Sequence, residues 1–153
     1  MKGAVEILVR PFVGRTGGLI EALHALHARD GYIDAAAIPD IADVFNLSKA
    51  EVKGVVSFYA DFRRAPAGRH IIKICQAEAC QAVGARALTN KSLKALEIAL
   101  GDTTASGAVT IEPVYCLGLC ASGPAAMVDG ALRARLDADA FAAEIQRLEE
   151  GCV

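Results

Sequence analysis

Four of the five cysteines in this chain fall into two short loops. Cys75-Gln-Ala-Glu-Ala-Cys80 comes first, and Cys116-Leu-Gly-Leu-Cys120 follows after 35 intervening residues. Each loop follows a run with the character of a buried strand, 70–74 before the first and 108–115 before the second. Thiolates are soft ligands that select zinc or iron–sulfur clusters over hard cations. The C-x4-C spacing is wide for a zinc knuckle, where C-x2-C dominates. It suits a loop wrapped around a larger inorganic core, so the two loops read as converging on one [2Fe–2S] cluster. Residues between and beside the cysteines are small (Ala77, Ala79, Gly118, Ala121, Ser122, Gly123), which lets backbone N–H groups approach the sulfurs. Cys80 falls near a predicted helix start, where amide dipoles favour a thiolate. Two other readings stay open on these residues: a structural zinc, and cysteines packed as small hydrophobes.

Charge around the loops sets the expected chemistry. Four thiolates give such a cluster a formal charge of about −2 oxidised and about −3 reduced. Neither loop contains Lys or Arg, and Glu78 adds a carboxylate. Uncompensated negative charge disfavours reduction, so a low-potential one-electron carrier is expected. A redox titration giving a clearly positive potential contradicts that expectation.

The rest of the composition narrows the class. At 153 residues and 54% hydrophobic, the chain can bury a core. No apolar run is long enough to cross a bilayer and no signal peptide opens the sequence, so it reads as soluble and cytoplasmic, without membrane insertion. Net charge is −2, with eight basic and eight acidic side chains in residues 1–66 and eight against ten in 67–153. Neither half has the basic excess that nucleic-acid phosphates demand. Five cysteines in a reducing compartment point to metal or redox chemistry rather than disulfides.

The elements that position the cysteines follow from periodicity. Gly14-Arg15-Thr16-Gly17-Gly18 fits no phosphate-loop pattern, and residues 1–18 read as a flexible arm or helix lead-in. Leu19, Ile20, Leu23 and Leu26 share a helical face that ends at Gly31. Asp34 caps a second helix carrying Ile38, Ile41, Ala42 and Phe45, which stops near Asn46. Ser48-Lys49-Ala50-Glu51 is a capping box that opens a third helix with Val52, Val55, Val56 and Tyr59. Residues 1–66 therefore read as a helical bundle, with Ala65-Pro66-Ala67-Gly68 as the boundary. Beyond it the pattern predicts a strand over 70–74, a helix over 80–100 and a strand over 108–115. Pro113 marks that last strand as an edge or a bulge. Strands over 124–128 and 131–136 flank the hairpin signal Asp129-Gly130, and a helix over 137–149 closes the chain. The order β-α-β-β-α requires a crossover between the first two strands, which makes them parallel. The result is an α/β, thioredoxin-like domain over 67–153.

Other candidates carry less chemistry. His24 and His27 lie three apart on a helix without a third ligand nearby, and read as surface or interface histidines. His70 reads as structural or exposed, and Cys152 as a free thiol in a terminal tail. Residues 41–58 also resemble a helix-turn-helix around Asn46-Leu47-Ser48, so an iron–sulfur transcriptional sensor is a remote alternative. A dithiol oxidoreductase of thioredoxin type needs a C-x-x-C site, which this chain lacks.

At the cysteine loops the chain resembles a family: the small thioredoxin-like [2Fe–2S] subunit of respiratory NADH dehydrogenase (complex I). That family extends to soluble NAD-linked dehydrogenases and hydrogenases. Cys75, Cys80, Cys116 and Cys120 match its four cluster ligands; Gly123-Pro124 fits the end of the second loop, and Gly101-Asp102-Thr103-Thr104 the connection before it. The likeness runs from about residue 19 to 150. The run Cys75-Gln-Ala-Glu-Ala-Cys80-Gln-Ala-Val-Gly looks most like the gamma subunit of soluble, molybdenum-dependent NAD-reducing formate dehydrogenase. The resemblance implies an electron-transfer subunit with no catalytic site of its own. FMN and NAD would sit on a partner subunit docked by the helical bundle, with a further catalytic subunit in the complex. The corresponding subunit of NADH:quinone oxidoreductase or of an NAD-linked hydrogenase is the alternative. Thioredoxin-like folds often carry a cis proline where Pro124 lies, and a cis Gly123–Pro124 bond is expected.

Overall fold

A computed structural model describes residues 2–151, so Cys152 lies outside the described residues. The chain divides into two compact units between Pro66 and Ala67.

The first unit is helical. Residues Lys2–Val9 form α1, and a 3-10 turn over Arg10–Phe12 follows. Where the sequence suggests an arm, Val5 and Val9 are buried on one face of α1. Two positions four apart are too short a pattern to register as periodicity, yet they suffice to seat the helix on a core. Gly18 then lies so close under the Phe12 carbonyl that a Cβ would fall on its oxygen. α2 (Gly18–Asp30) buries Ala22, Leu23 and Leu26 and ends at Gly31, whose left-handed backbone (φ 79°) lets its N–H reach the His27 carbonyl. Asp34 caps a short 3-10 turn over Ala35–Ala37, which continues into α3 (Ile38–Phe45); Asn46 closes α3 in the left-handed region. The predicted capping box opens α4 (Lys49–Phe58), with Glu51 N–H donating to Ser48 Oγ at 3.2 Å and Ser48 N–H to Glu51 Oε2 at 2.8 Å. The buried faces of the four helices meet at Val9, Leu23, Leu26, Ile41 and Val52, with Phe62 packed against them from the segment after α4. Each such side chain contributes about 1.5–3 kcal/mol by burial.

The second unit has an α/β, thioredoxin-like fold. Its strands are β1 (His70–Cys75), β2 (Val109–Val114), β3 (Ala126–Val128) and β4 (Ala131–Arg133), in the spatial order β2-β1-β3-β4. β1 and β2 are parallel, as the crossover required, and β1–β3 and β3–β4 are antiparallel. The helix expected over 80–100 is two helices, α5 (Glu78–Ala82) and α6 (Ala85–Leu96). The break is Gly84 at φ 104°, a conformation no helix interior accommodates. α6 and α7 (Ala138–Glu149) cover one face of the sheet, packing Leu88, Phe141 and Ile145 on Ile72, Ile74 and Ile111. β2 is an edge strand, which accounts for Pro113. Residues 101–104 line its outer side, where Gly101 N–H donates to Ile111 O and Thr104 N–H to Val109 O. Among the described residues no helix is long and apolar enough to cross a membrane.

The Asp129-Gly130 turn joins β3 to β4 with positive φ at both residues. Asp129 also accepts from Ile71 N–H and contacts His70 Nδ1, each at 2.8 Å. Burial pushes its carboxyl up, but the bonds to His70 and Ile71 outweigh this and hold it below the usual value. The stabilisation is therefore present above the ordinary carboxylate range and is lost as pH falls through the lowered value. Asp129→Asn keeps an acceptor for Ile71 and tolerates the turn. It is expected to cost under about 1 kcal/mol at neutral pH, since the pair is half-exposed. Urea denaturation of parent and variant should converge in acid; a gap that persists there contradicts the linkage.

Candidate metal centre

Strand register brings the two cysteine loops together. β1 ends at Cys75, and in the parallel pairing Cys75 lies opposite Val114. Cys116 therefore leaves β2 two residues beyond the point facing Cys75, at the same end of the sheet. Gln76 N–H extends the ladder to Val114 O at 2.8 Å, and Cys75 N–H donates to Ala125 O at 3.0 Å. Cys80 lies in the first turn of α5. A 3-10 turn over Cys120–Ser122 follows the second loop, and the Gly123–Pro124 bond after it is cis, as expected.

The four sulfurs form two pairs of different character. Cys75 and Cys80 are each 2% exposed and pack with Ala85 and Ala125. Cys116 and Cys120 are exposed, with Sγ atoms 3.5 Å apart. Tyr115 stands open beside them. Burial pushes the Cys75 thiol up, but the N–H groups of Ala77, Cys116 and Leu117, with the Cys80 thiol, outweigh it and hold Cys75 below its ordinary value. Burial and the bond to Cys75 push Cys80 up, against one N–H from Ala125. Cys120 is also pushed up, first by its contact with Cys116 and then by the charges on Cys116 and Cys75. The second loop thus reaches the first through backbone amides and through charge. Cys116 makes this possible by adopting φ 84°, rare for a side-chain-bearing residue, and Gly118 N–H donates back to Cys116 Sγ at 3.4 Å.

Among the described residues no group of three or more His, Cys, Asp or Glu side chains is arranged to hold one metal ion. Two thiol pairs side by side instead offer two positions, each with two soft ligands. N–H groups aimed at the sulfurs suit a centre that gains negative charge. Four thiols in two pairs, with amide donors and small neighbours, fit a binuclear iron–sulfur group better than a single tetrahedral zinc.

The structure also places the lesser candidates. His24 and His27 lie against the Phe62 ring, at 4.9 and 6.2 Å between centroids. His70 bonds Asp129 at the opposite end of β1 from Cys75. Gln76, Gln81 and Thr89, to which the sequence assigns no role, form a hydrogen-bonded group against the first loop. The one sequence signal for them is that a glutamine directly follows each cysteine of that loop.

A four-stranded mixed sheet covered by helices on one face, with paired cysteines at one end, defines a thioredoxin-like ferredoxin architecture. Residues 5–149 match the family described as thioredoxin-like [2Fe-2S] ferredoxin, and the chain belongs to that family. It is 36% identical over 144 residues to the E subunit of NADH-quinone oxidoreductase from Escherichia coli, covering 94% of this chain and 87% of that one. The same subunit from Pseudomonas aeruginosa is 41% identical over 110 residues, 72% of this chain and 66% of the relative. Among solved structures, a chain of an NAD+-reducing [NiFe]-hydrogenase in the air-oxidised state superposes with a TM-score of 0.70 at 29% identity, covering 89% of this chain. This chain spans 23% of that hydrogenase chain's length.

Proposed function

We propose that Cys75, Cys80, Cys116 and Cys120 hold one [2Fe–2S] cluster, and that the chain is an electron-transfer subunit of a cytoplasmic NAD-linked oxidoreductase complex. The observation that carries this is the meeting of two thiol pairs at one end of the β1/β2 ladder, with backbone amides aimed at the sulfurs. When bound, such a cluster supplies a one-electron couple. Cys75 and Cys80 keep water from one side of it, and the exposed Cys116 and Cys120 leave the other side open to a partner. That partner, in this reading, carries FMN and NAD, and a further subunit carries the substrate chemistry. This chain has no dinucleotide fingerprint of its own. NADH oxidation by the isolated chain would overturn that division.

The named relatives favour a complex of the NADH:quinone oxidoreductase or NAD-reducing hydrogenase type. A second reading, the gamma subunit of NAD-dependent formate dehydrogenase, is favoured by the run from Cys75 to Gly84 alone. Purifying the chain with its native partners separates the two. Formate-dependent NAD reduction and bound molybdenum support the second, and their absence from an intact, NADH-active complex supports the first.

The helical unit is proposed as the piece that docks the flavin-bearing subunit. Phe58 is 81% exposed and stands with Tyr59 beside a groove lined by Leu19, Ile20, Leu47 and Val55. Aromatic anchors of this kind are typical interface hot spots. The family match spans both helices of the helix-turn-helix-like segment, which supports docking over DNA contact. Phe58→Asp is expected to weaken partner retention at least about tenfold, with iron content unchanged because Phe58 lies in the other unit. Full co-purification of the flavin subunit with this variant contradicts the docking role.

A further inference from the structure

We propose that Gln76, Gln81 and Thr89 are positioning residues that tie the first cysteine loop to α6 and fix the spacing and dryness of the Cys75–Cys80 pair. Each glutamine directly follows a cysteine, so its side chain reports and restrains the backbone at that sulfur. Gln81 Nε2 donates to Gln76 Oε1 at 3.0 Å, and Gln76 Nε2 donates to Thr89 Oγ1 at 2.9 Å and to Ile74 O at 3.3 Å. Thr89 Oγ1 donates to Ala85 O at 2.8 Å. The relay has one direction. Ala85 O can only accept, so the Thr89 hydroxyl proton points to it, and the Thr89 oxygen is left to accept from Gln76. The Gln76 carbonyl must then face Gln81, whose amide nitrogen donates. Turning either amide over sets two like groups against each other. Thr89 is 5% exposed, so the relay is anchored inside the unit.

Gln81 Oε1 is buried without a hydrogen-bond partner, which by itself disfavours this side-chain conformation. The conformation is held because the Gln81 nitrogen is committed to Gln76. That detail separates positioning from mere stability. Gln81→Met takes the donor from Gln76 Oε1 but also removes the unpartnered Gln81 Oε1, so the two effects offset and the apo-fold loses little while the relay is cut. A cut relay loosens α5 and admits water to Cys75 and Cys80. Water favours the more highly charged reduced state of a bound cluster. This inference rests on the proposed cluster ligation.

The test uses the full chain carrying its cluster, with Gln81→Met, Thr89→Val, Thr89→Ser and the Gln81→Met/Thr89→Val double variant. The midpoint potential and the electron paramagnetic resonance spectrum of the reduced form are read, and the melting temperature of the apo-protein alongside. Gln81→Met and Thr89→Val are expected to shift the one-electron equilibrium at least about threefold toward the reduced form and to change the g-values. Thr89→Ser should match the parent, and the double variant should shift no further than the larger single change. Unchanged potential and spectrum in both single variants would overturn the proposal. So would fully additive shifts, or a Thr89→Ser variant displaced as far as Thr89→Val. A parent chain without a [2Fe–2S] signal overturns the ligation itself, and this inference with it.

Discussion

Cys75→Ala and Cys116→Ala are each expected to reduce bound iron to under about a tenth of the parent, because either change leaves one iron position with a single thiolate. The two variants should differ in what remains. Cys116 is exposed, so its truncation leaves the apo-fold intact. Cys75 is buried, and the N–H groups of Ala77, Cys116 and Leu117 favour its thiolate. Its removal takes away the sulfur those amides face and leaves a void against Ala85 and Ala125, which lowers stability. Apo-Cys75→Ala should therefore melt well below apo-Cys116→Ala. Cys152→Ala should bind iron like the parent. Iron and sulfide assays with differential scanning calorimetry check all three. A full complement of iron in Cys116→Ala breaks the assignment.

The second large effect is expected at Gly123. Its backbone (φ −69°, ψ 165°) is open to any residue, so the constraint is space alone. A Cβ there would sit 2.9 Å from Val83 Cγ2 and 3.3 Å from Cys80 Sγ. Val83 is exposed and can turn away; Cys80 is buried and cannot. Gly123→Ala should thus cost about 1 kcal/mol, and Gly123→Val about 1–3 kcal/mol, with cluster occupancy falling below about half in the valine variant. Val83→Ala in the same chain should recover the alanine variant and only partly the valine one. Equal occupancy in parent and Gly123→Val would show that nothing presses on Cys80.

Much of this was legible in the sequence because the signals are local. The Ser48/Glu51 capping box, the Asp129-Gly130 hairpin and the Gly31 helix stop each involve a few consecutive residues with one favoured geometry. The parallel β1/β2 pairing followed from a helical crossover between two apolar runs, and the register then carried Cys75 and Cys116 to one end of the sheet. What escaped was set by backbone choice or by contacts distant in sequence. Gly84 looks harmless inside a helical pattern, yet its φ of 104° splits α5 from α6. α1 has only Val5 and Val9 to mark its buried face. The left-handed Cys116 backbone, which turns two amides onto Cys75, has no composition signal at all. The Gln76–Gln81–Thr89 relay joins residues up to 13 apart in sequence, and only packing shows that they meet.

Metal and sulfide analysis of the anaerobically purified chain, with the electron paramagnetic resonance spectrum after dithionite reduction, tests the central claim most directly. About two irons and two sulfides per chain, with a rhombic signal near g = 2 on reduction, are the result predicted. A colourless protein holding about one zinc per chain and no sulfide would contradict electron carriage by these four cysteines.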